Sequence, residues 1–422
     1  MRQIQRVSQL IPATLAESWS EDLLSCFDSM IAALRANAHN LAEIESSKAF
    51  KKKVESFSEI NTLIDHFVYA KGLLSLKVRA MRQAEKTFCE FGDHEKIRFT
   101  SIAVPFGVVA IILPYNFPAV VLAERLPYAL AAGNAVAVKP SEIASGAVLE
   151  IIELAKKIFG NCRLDCFPGD SSVGKALVES EYINMVSFTG GSEQGRKVAE
   201  RCGYLLKPCS LELGGNNLAV IDDTADINQA IDHCATGITY HSGQCCISTR
   251  NILVPRETSD SFISALAARL RAEVEQHGLM PLAGSAPSYW QAVNRLQGES
   301  NITTIENQEG PDIVIVKTDK VAEEEIFGPV VSVLEYDASD LESLLSQSAY
   351  GLGLQIFSKK KEFVSSVIER TRAGRIWVNA SLVSDPSLRL GGFGSSGNSW
   401  IGGQNALDDY SAYKALALGP IS

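Results

Sequence analysis

The sequence has no run of eighteen uninterrupted apolar residues, and its N-terminus, MRQIQRVSQLIPATLAESW, carries two arginines but no apolar stretch of signal-peptide length. A membrane span and a secretory leader are therefore unexpected, and the expectation is a cytoplasmic protein with no membrane partner. No G-x-G-x-x-G follows the first strand-like run and no G-x-x-x-x-G-K-[ST] occurs. Any nucleotide phosphate must be held by something other than the two common glycine loops. Metal-ligand spacing is missing too: neither Cys162/Cys166 nor Cys202/Cys209 is matched by a second CxxC or a histidine run, so no metal is expected. Basic residues are in deficit, 39 against 49 acidic, for a net charge of -10. That field repels nucleic acid and anionic membrane surfaces. Nine irregularly spread cysteines in so long a chain suit reduced thiols better than a disulfide scaffold.

What is present is apolar material. With 422 residues, 46% hydrophobic and 21% charged, the chain is large enough for two domains or more. Leu24, Phe27, Ile31 and Leu34, then Phe57, Ile60, Ile64 and Phe67, recur at three- or four-residue steps, the period of amphipathic helices. From about residue 101 the pattern becomes short, wholly apolar runs between helical stretches: GVVAIIL (107–113), AVAV (135–138), NMVSF (184–188) and LAVI (218–221). Such alternation predicts βαβ units around a parallel sheet, with a nucleotide site at the carboxyl ends of its strands. Pro118 is placed to start one connecting helix, and Pro140-Ser141 to open the next. After residue 250 the alternation resumes through ILV (252–254), DIVIVK (312–317), VVSVLEY (330–336), LQIF (354–357) and RIWVN (375–379), which predicts a second α/β domain. Residues 280–311 and 380–405 lack regular pattern and read as loops.

Several strand ends carry chemistry. FTGGSEQG (188–195) follows an apolar run and precedes a helical stretch, so its backbone N–H groups can face an anion; a glycine turn without ligand reads equally well. Lys139 and Glu142 in VAVKPSE suit a ribose diol, or else an exposed pair at a helix start. Glu212 in LELGGNN suits a general base, a carboxylate in an apolar cleft having its pKa raised; an ion-paired surface glutamate is the plainer reading. HSGQCC places Cys245 and Cys246 after a helix and a glycine turn, where one thiol can be exposed or both can be inert core residues. His241 lies five residues before Cys246, but cysteine hydrolases draw their histidine from distant sequence.

Taken together these segments resemble the aldehyde dehydrogenase superfamily. The blocks PFGVVAIILPYNFP (105–118), ALAAGNAVAVKPSE (129–142), FTGGSEQG (188–195), LELGG (211–215), GQCC (243–246), EEIFGPV (324–330), GRIWVN (374–379) and GGFGSSG (391–397) occur in family order along nearly the whole chain. The resemblance implies an α/β architecture with a Rossmann-type NAD-binding domain, an α/β catalytic domain and short oligomerisation segments. Its boundaries would fall at 1–214 for the helical segment and nucleotide domain, with 82–105 a candidate bridging hairpin, at 215–414 for the catalytic domain and at 415–422 for a C-terminal oligomerisation tail.

The resemblance also assigns roles. Cys246 would be the nucleophile, Asn116 with the Cys246 N–H the oxyanion donors, and Glu212 the base that activates water against the thioester. Pro114, Tyr115, Lys139, Ser141, Glu142, Gly169, Phe188, Thr189, Gly190, Gly191, Gly195, Leu213, Glu325 and Phe327 would form the cofactor site, and Glu142 would repel a 2′-phosphate, which favours NAD over NADP. The expected substrate is a small aldehyde. PYNFP, GGNN and SGN (396–398) look more like the semialdehyde enzymes, with Arg125 or Arg389 pairing a substrate carboxylate, and the expected assembly is a homodimer or homotetramer. Coenzyme A acylation and a catalytically silent nucleotide-binding protein are the alternatives. Gly191 replaces a usual Ser, and Arg125 and Ala412 stand where many members carry Lys and Glu. Relative to typical members, an N-terminal segment is missing and the stretch between Cys246 and Glu325 is short.

Overall fold

In the computed structural model, the described residues are 6–12, 20–84, 98–296, 301–308 and 310–418. Helix α1 (Glu21–Ala49) starts where the Ser20 hydroxyl accepts the Leu23 N–H at 3.1 Å, which satisfies one of the donors a helix start leaves open. It ends at Phe50, whose φ is 55°. Helix α2 (Lys53–Ala84) packs against it, with Phe27 and Phe67 ring centroids 5.7 Å apart. The periodic apolar positions Phe27, Ile31, Leu34, Ile60, Ile64 and Phe67 are the buried ones.

Beyond β1 (Arg98–Pro105) come β2 (Val108–Ile112), α3 (Pro118–Ala123), α4 (Leu126–Ala131), β3 (Ala135–Lys139), α5 (Val148–Phe159), β4 (Leu164–Cys166), α6 (Ser171–Glu179), β5 (Met185–Thr189), α7 (Ser192–Tyr204) and β6 (Cys209–Glu212). Five of these strands form a parallel sheet in the order β4-β3-β2-β5-β6. Every residue of β2 and β3 is buried because helices cover both faces. Alternate side chains serve opposite cores: Val109 and Ile111 join the α1 and α2 cluster, whereas Val108, Ala110 and Ile112 meet Phe167, Leu177 and Val186. Each such burial contributes about 1.5 to 3 kcal/mol before entropy is set against it. Pro118 opens α3, as expected, while Pro140 and Ser141 sit in a loop and the next helix starts at Val148.

The second half comprises β7 (Asn217–Ile221), α8 (Ile227–Thr239), β8 (Thr249–Pro255), α9 (Ser259–His277), α10 (Ala286–Leu296), β9 (Ile302–Ile305), β10 (Ile313–Thr318), β11 (Val330–Tyr336), α11 (Leu341–Ser346), β12 (Gly353–Phe357), α12 (Lys361–Arg370) and β13 (Arg375–Val378). Its sheet runs β13-β12-β7-β8-β11-β10-β9, parallel except for the edge strand β9. Both α10 and β9 lie in the stretch expected to be loop. Pro287 obscured the helix, yet it occupies the first turn, where no backbone N–H is needed.

A separate two-stranded sheet joins β1 to the last strand: β1 pairs antiparallel with β14 (Ser411–Leu418), from Arg98 opposite Leu418 to Pro105 opposite Ser411. The last strand thus begins four residues before the boundary expected at 415. Within 82–105, residues 98–105 pair with it, 82–84 end α2, and residues 85–97 lie outside the described part. Among the described residues no helix is long and apolar enough to cross a membrane.

Candidate active site

A cavity of about 1710 Å³ is lined by the carboxyl ends of β2, β3, β5 and β6 together with residues of the second half. Cys246, Asn116 and Glu212 all line it, as do Pro114, Tyr115, Lys139, Ser141, Glu142, Phe188, Thr189, Gly190, Gly191, Leu213, Glu325 and Phe327. Gly169 and Gly195 do not. Gly195 lets α7 approach its neighbour, since a Cβ there would stand 2.3 Å from Leu213 Cδ2; Gly169 adopts a φ of 148° in the turn before α6.

The loop carrying Cys246 leaves α8 through three consecutive left-handed residues, His241, Ser242 and Gly243, with φ of 46°, 54° and 71°. The surroundings impose this uncommon geometry. The Arg250 guanidinium donates to the carbonyls of Gly243 and Gly328, and Asn217 Nδ2 donates to the Cys246 and Ser248 carbonyls, each at 2.8 Å. Gly215 admits the loop, because a Cβ there would lie 2.2 Å from the Cys246 oxygen. Asn116 donates one amide hydrogen to the Gln244 carbonyl at 2.9 Å; the second N–H of that amide is available to an oxyanion. The hydrogen bond with the Cys245 thiol and burial raise the Cys246 thiol well above its usual value.

Glu212 differs from expectation. It sits between two arginines, with Arg375 Nη2 2.6 Å from Oε1 and Arg125 Nη2 2.6 Å from Oε2. Burial pushes its carboxyl up, but the two guanidiniums outweigh that and hold it below the usual carboxylate value. The residues reserved for a substrate carboxylate are also taken. Arg125 is 1% exposed and bound by Glu212, Glu124 and the Val121 carbonyl. Arg389 is held by both oxygens of Asp409, at 2.7 and 2.6 Å.

The nucleotide residues fit a dinucleotide. Lys139 Nζ lies 2.7 Å from Glu142 Oε2 just past β3. Burial pushes the Glu142 carboxyl up, but hydrogen bonding to Lys139 more than offsets it, so the group stays ionised. Helix α7 begins at Gly191 with no side-chain cap, leaving its first N–H groups for a phosphate. Thr189 Oγ1 is buried without a partner and belongs to the cavity wall, an orphan that a ligand would satisfy. Glu325 accepts the Gly215 N–H at 3.1 Å, and burial lifts its carboxyl to about 7. Lys175, Lys197 and Arg201 line the same cavity; no motif in the sequence marked them.

Comparison with known proteins agrees with this geometry. The sequence model of the aldehyde dehydrogenase family matches residues 16–281 and 311–416. The chain belongs to the aldehyde dehydrogenase family. It is 32% identical over 345 residues to aldehyde dehydrogenase [NAD(P)+] 1 of Saccharomyces cerevisiae, covering 75% of this chain and 68% of that one. It is 31% identical to geranial dehydrogenase of Castellaniella defragrans, over 74% and 70%. Among solved structures, an NAD-dependent aldehyde dehydrogenase from Sinorhizobium meliloti superposes with a TM-score of 0.83 at 28% identity, over 95% of this chain and 82% of that one. An aldehyde dehydrogenase from Bacillus cereus, solved with NAD+, shares the fold at TM-score 0.88 and 23% identity, over 99% and 88%. As a family member the chain is an oxidoreductase acting on aldehydes with a nicotinamide dinucleotide.

Proposed function

We propose that this aldehyde dehydrogenase converts an aldehyde to its carboxylic acid with NAD, through a thioester on Cys246. The observation carrying this reading is that one cavity wall holds a thiol, an amide and a carboxylate, Cys246, Asn116 and Glu212, alongside Lys139, Glu142 and Glu325. The Cys246 sulfur, once deprotonated, attacks the carbonyl carbon, and the resulting oxyanion receives hydrogen bonds from the free Asn116 N–H and the Cys246 backbone N–H. NAD, when bound, would supply the hydride acceptor beside that carbon. Glu212 then takes a proton from water as it attacks the thioester, and the acid departs as the sulfur is released. Lys139 and Glu142 would hold the adenosine ribose, the α7 N-terminus the pyrophosphate and Glu325 the nicotinamide ribose.

For the substrate we favour an apolar or aromatic aldehyde over a carboxylate-bearing one. Phe117, Val120, Val121, Tyr240, Leu382 and Val383 line the cavity, and the two arginines proposed for a carboxylate are already paired within the chain. The test is NADH formation, followed by absorbance, with a panel of apolar, aromatic and acidic aldehydes for wild type and Cys246→Ala. Turnover with apolar aldehydes that vanishes in the variant is expected. Absence of turnover in the wild type despite NAD binding would favour a silent nucleotide-binding protein.

A further inference from the structure

Arg375 begins β13 in the seven-stranded sheet, and Glu212 ends β6 in the five-stranded one, so their ion pair spans the two halves of the molecule. The pair belongs to a quartet. Arg375 Nη2 also lies 3.6 Å from Glu124 Oε1, and Arg125 Nη1 lies 3.1 Å from Glu124 Oε2. All four side chains are buried, and burial with the neighbouring Glu212 pushes the Glu124 carboxyl up. The other titratable groups facing them are Cys245 and Cys246 on the nucleophile loop, His66 on α2, Tyr128 on α4 and Tyr410 before β14. Burial, with Arg125 and Arg375, lowers His66 to about 4, so it adds no charge. Of the two arginines, Arg375 is the one in the cavity wall with Cys246, Glu124 and Glu212.

Its guanidinium therefore acts on two groups with opposite consequences. In the same cavity wall as Cys246, the positive charge favours the thiolate and hence attack on the carbonyl. Bound to Glu212 Oε1, it occupies an oxygen that must accept a proton from water and weakens that carboxylate as a base.

We propose that Arg375 is a positioning residue that divides the two half-reactions, promoting acylation of Cys246 and restraining Glu212 in hydrolysis of the thioester. The proposal rests on the roles given above to Cys246 and Glu212, and an assay without nucleotide separates the two ideas. p-Nitrophenyl acetate acylates a thiolate as its ester C–O bond breaks and a C–S bond forms, releasing p-nitrophenolate as a burst; water then opens the thioester in a steady phase.

With purified full-length protein, Arg375→Leu is expected to slow the burst about tenfold and to speed the steady phase about tenfold, a modest part of what general base catalysis contributes. The acid limb of the steady phase is expected to move to higher pH, because Glu212 loses a facing cation. Arg375→Lys keeps the charge but not the planar fork and should fall between. Since Arg375→Leu alone strands a buried carboxylate, the charge-balanced pair Glu124→Gln/Arg375→Leu provides a second measurement, with the same split expected. Folded variants whose two phases slow together, or whose steady phase is not accelerated, would overturn the proposal. A wild type without a burst, or a burst that survives Cys246→Ala, would instead overturn the role of Cys246.

Discussion

Replacing Glu325 by Gln should abolish a pH dependence of NAD binding that the wild type displays near neutrality. Burial lifts the Glu325 carboxyl to about 7, against the Arg250 guanidinium and the Gly215 N–H, which pull it down. Raising the pH through that value converts an acid into a carboxylate. The carboxylate is the better acceptor for ribose hydroxyls: a hydrogen bond to a charged group exceeds a neutral one by about 1 kcal/mol. That difference is about fivefold in Kd, so NAD should bind about fivefold more tightly at about pH 8 than at about pH 6. Isothermal titration calorimetry in buffers of different ionisation enthalpy measures both the affinity and the proton released.

Stability carries the opposite sign. Because the folded protein holds the Glu325 proton more firmly than the unfolded chain does, this group's contribution is full below the ordinary carboxyl range and is lost as pH rises through about 7. The rise in Tm that NAD produces should accordingly grow with pH. The Gln variant cannot ionise and should show neither trend. A slope of unchanged size in Glu325→Gln, or a flat wild type, would refute the placement of this carboxylate at the ribose.

Three further outcomes are expected. Lys51→Met should lower stability by about 3 to 5 kcal/mol in urea denaturation, because the ammonium lies between the buried carboxylates of Glu45 and Glu59 and 4.2 Å above the Phe117 ring. Gly195→Ala forces a methyl onto Leu213, which lines the cavity; an overpacking cost of about 1 to 3 kcal/mol should raise the NAD Kd, and Leu213→Ala should relieve it. Glu212→Gln should preserve a first turnover of NADH while slowing release of the acid about a hundredfold or more, seen as a burst in stopped-flow absorbance.

The alternation of short apolar runs with helical periods located β2, β3, β5, β7, β8 and β10 to β13, because a parallel strand covered on both faces has to be apolar throughout; the short β4 and β6 carry no such run, and the run of β7, read with the first sheet, belongs to the second. Cys246, Asn116 and the nucleotide residues were named through the resemblance of the blocks that carry them, and the fold brings all of them but Gly169 and Gly195 to one cavity. The helix and strand within 280–311 escaped because Pro287 and the surrounding polar residues mask a short apolar period.

The chain order of the blocks thus determined the family architecture and which side chains are candidates for chemistry. Tertiary structure alone decided the electrostatics. Glu212 looked like a carboxylate in an apolar cleft, yet Arg125, 87 residues before it, and Arg375, 163 after it, reach its two oxygens. Arg125 and Arg389 likewise looked free for a substrate and are satisfied by Glu212 and Asp409. Charge acts through space over a few ångströms, so the state of a buried carboxylate depends on neighbours that folding brings from remote sequence, and no local motif records them.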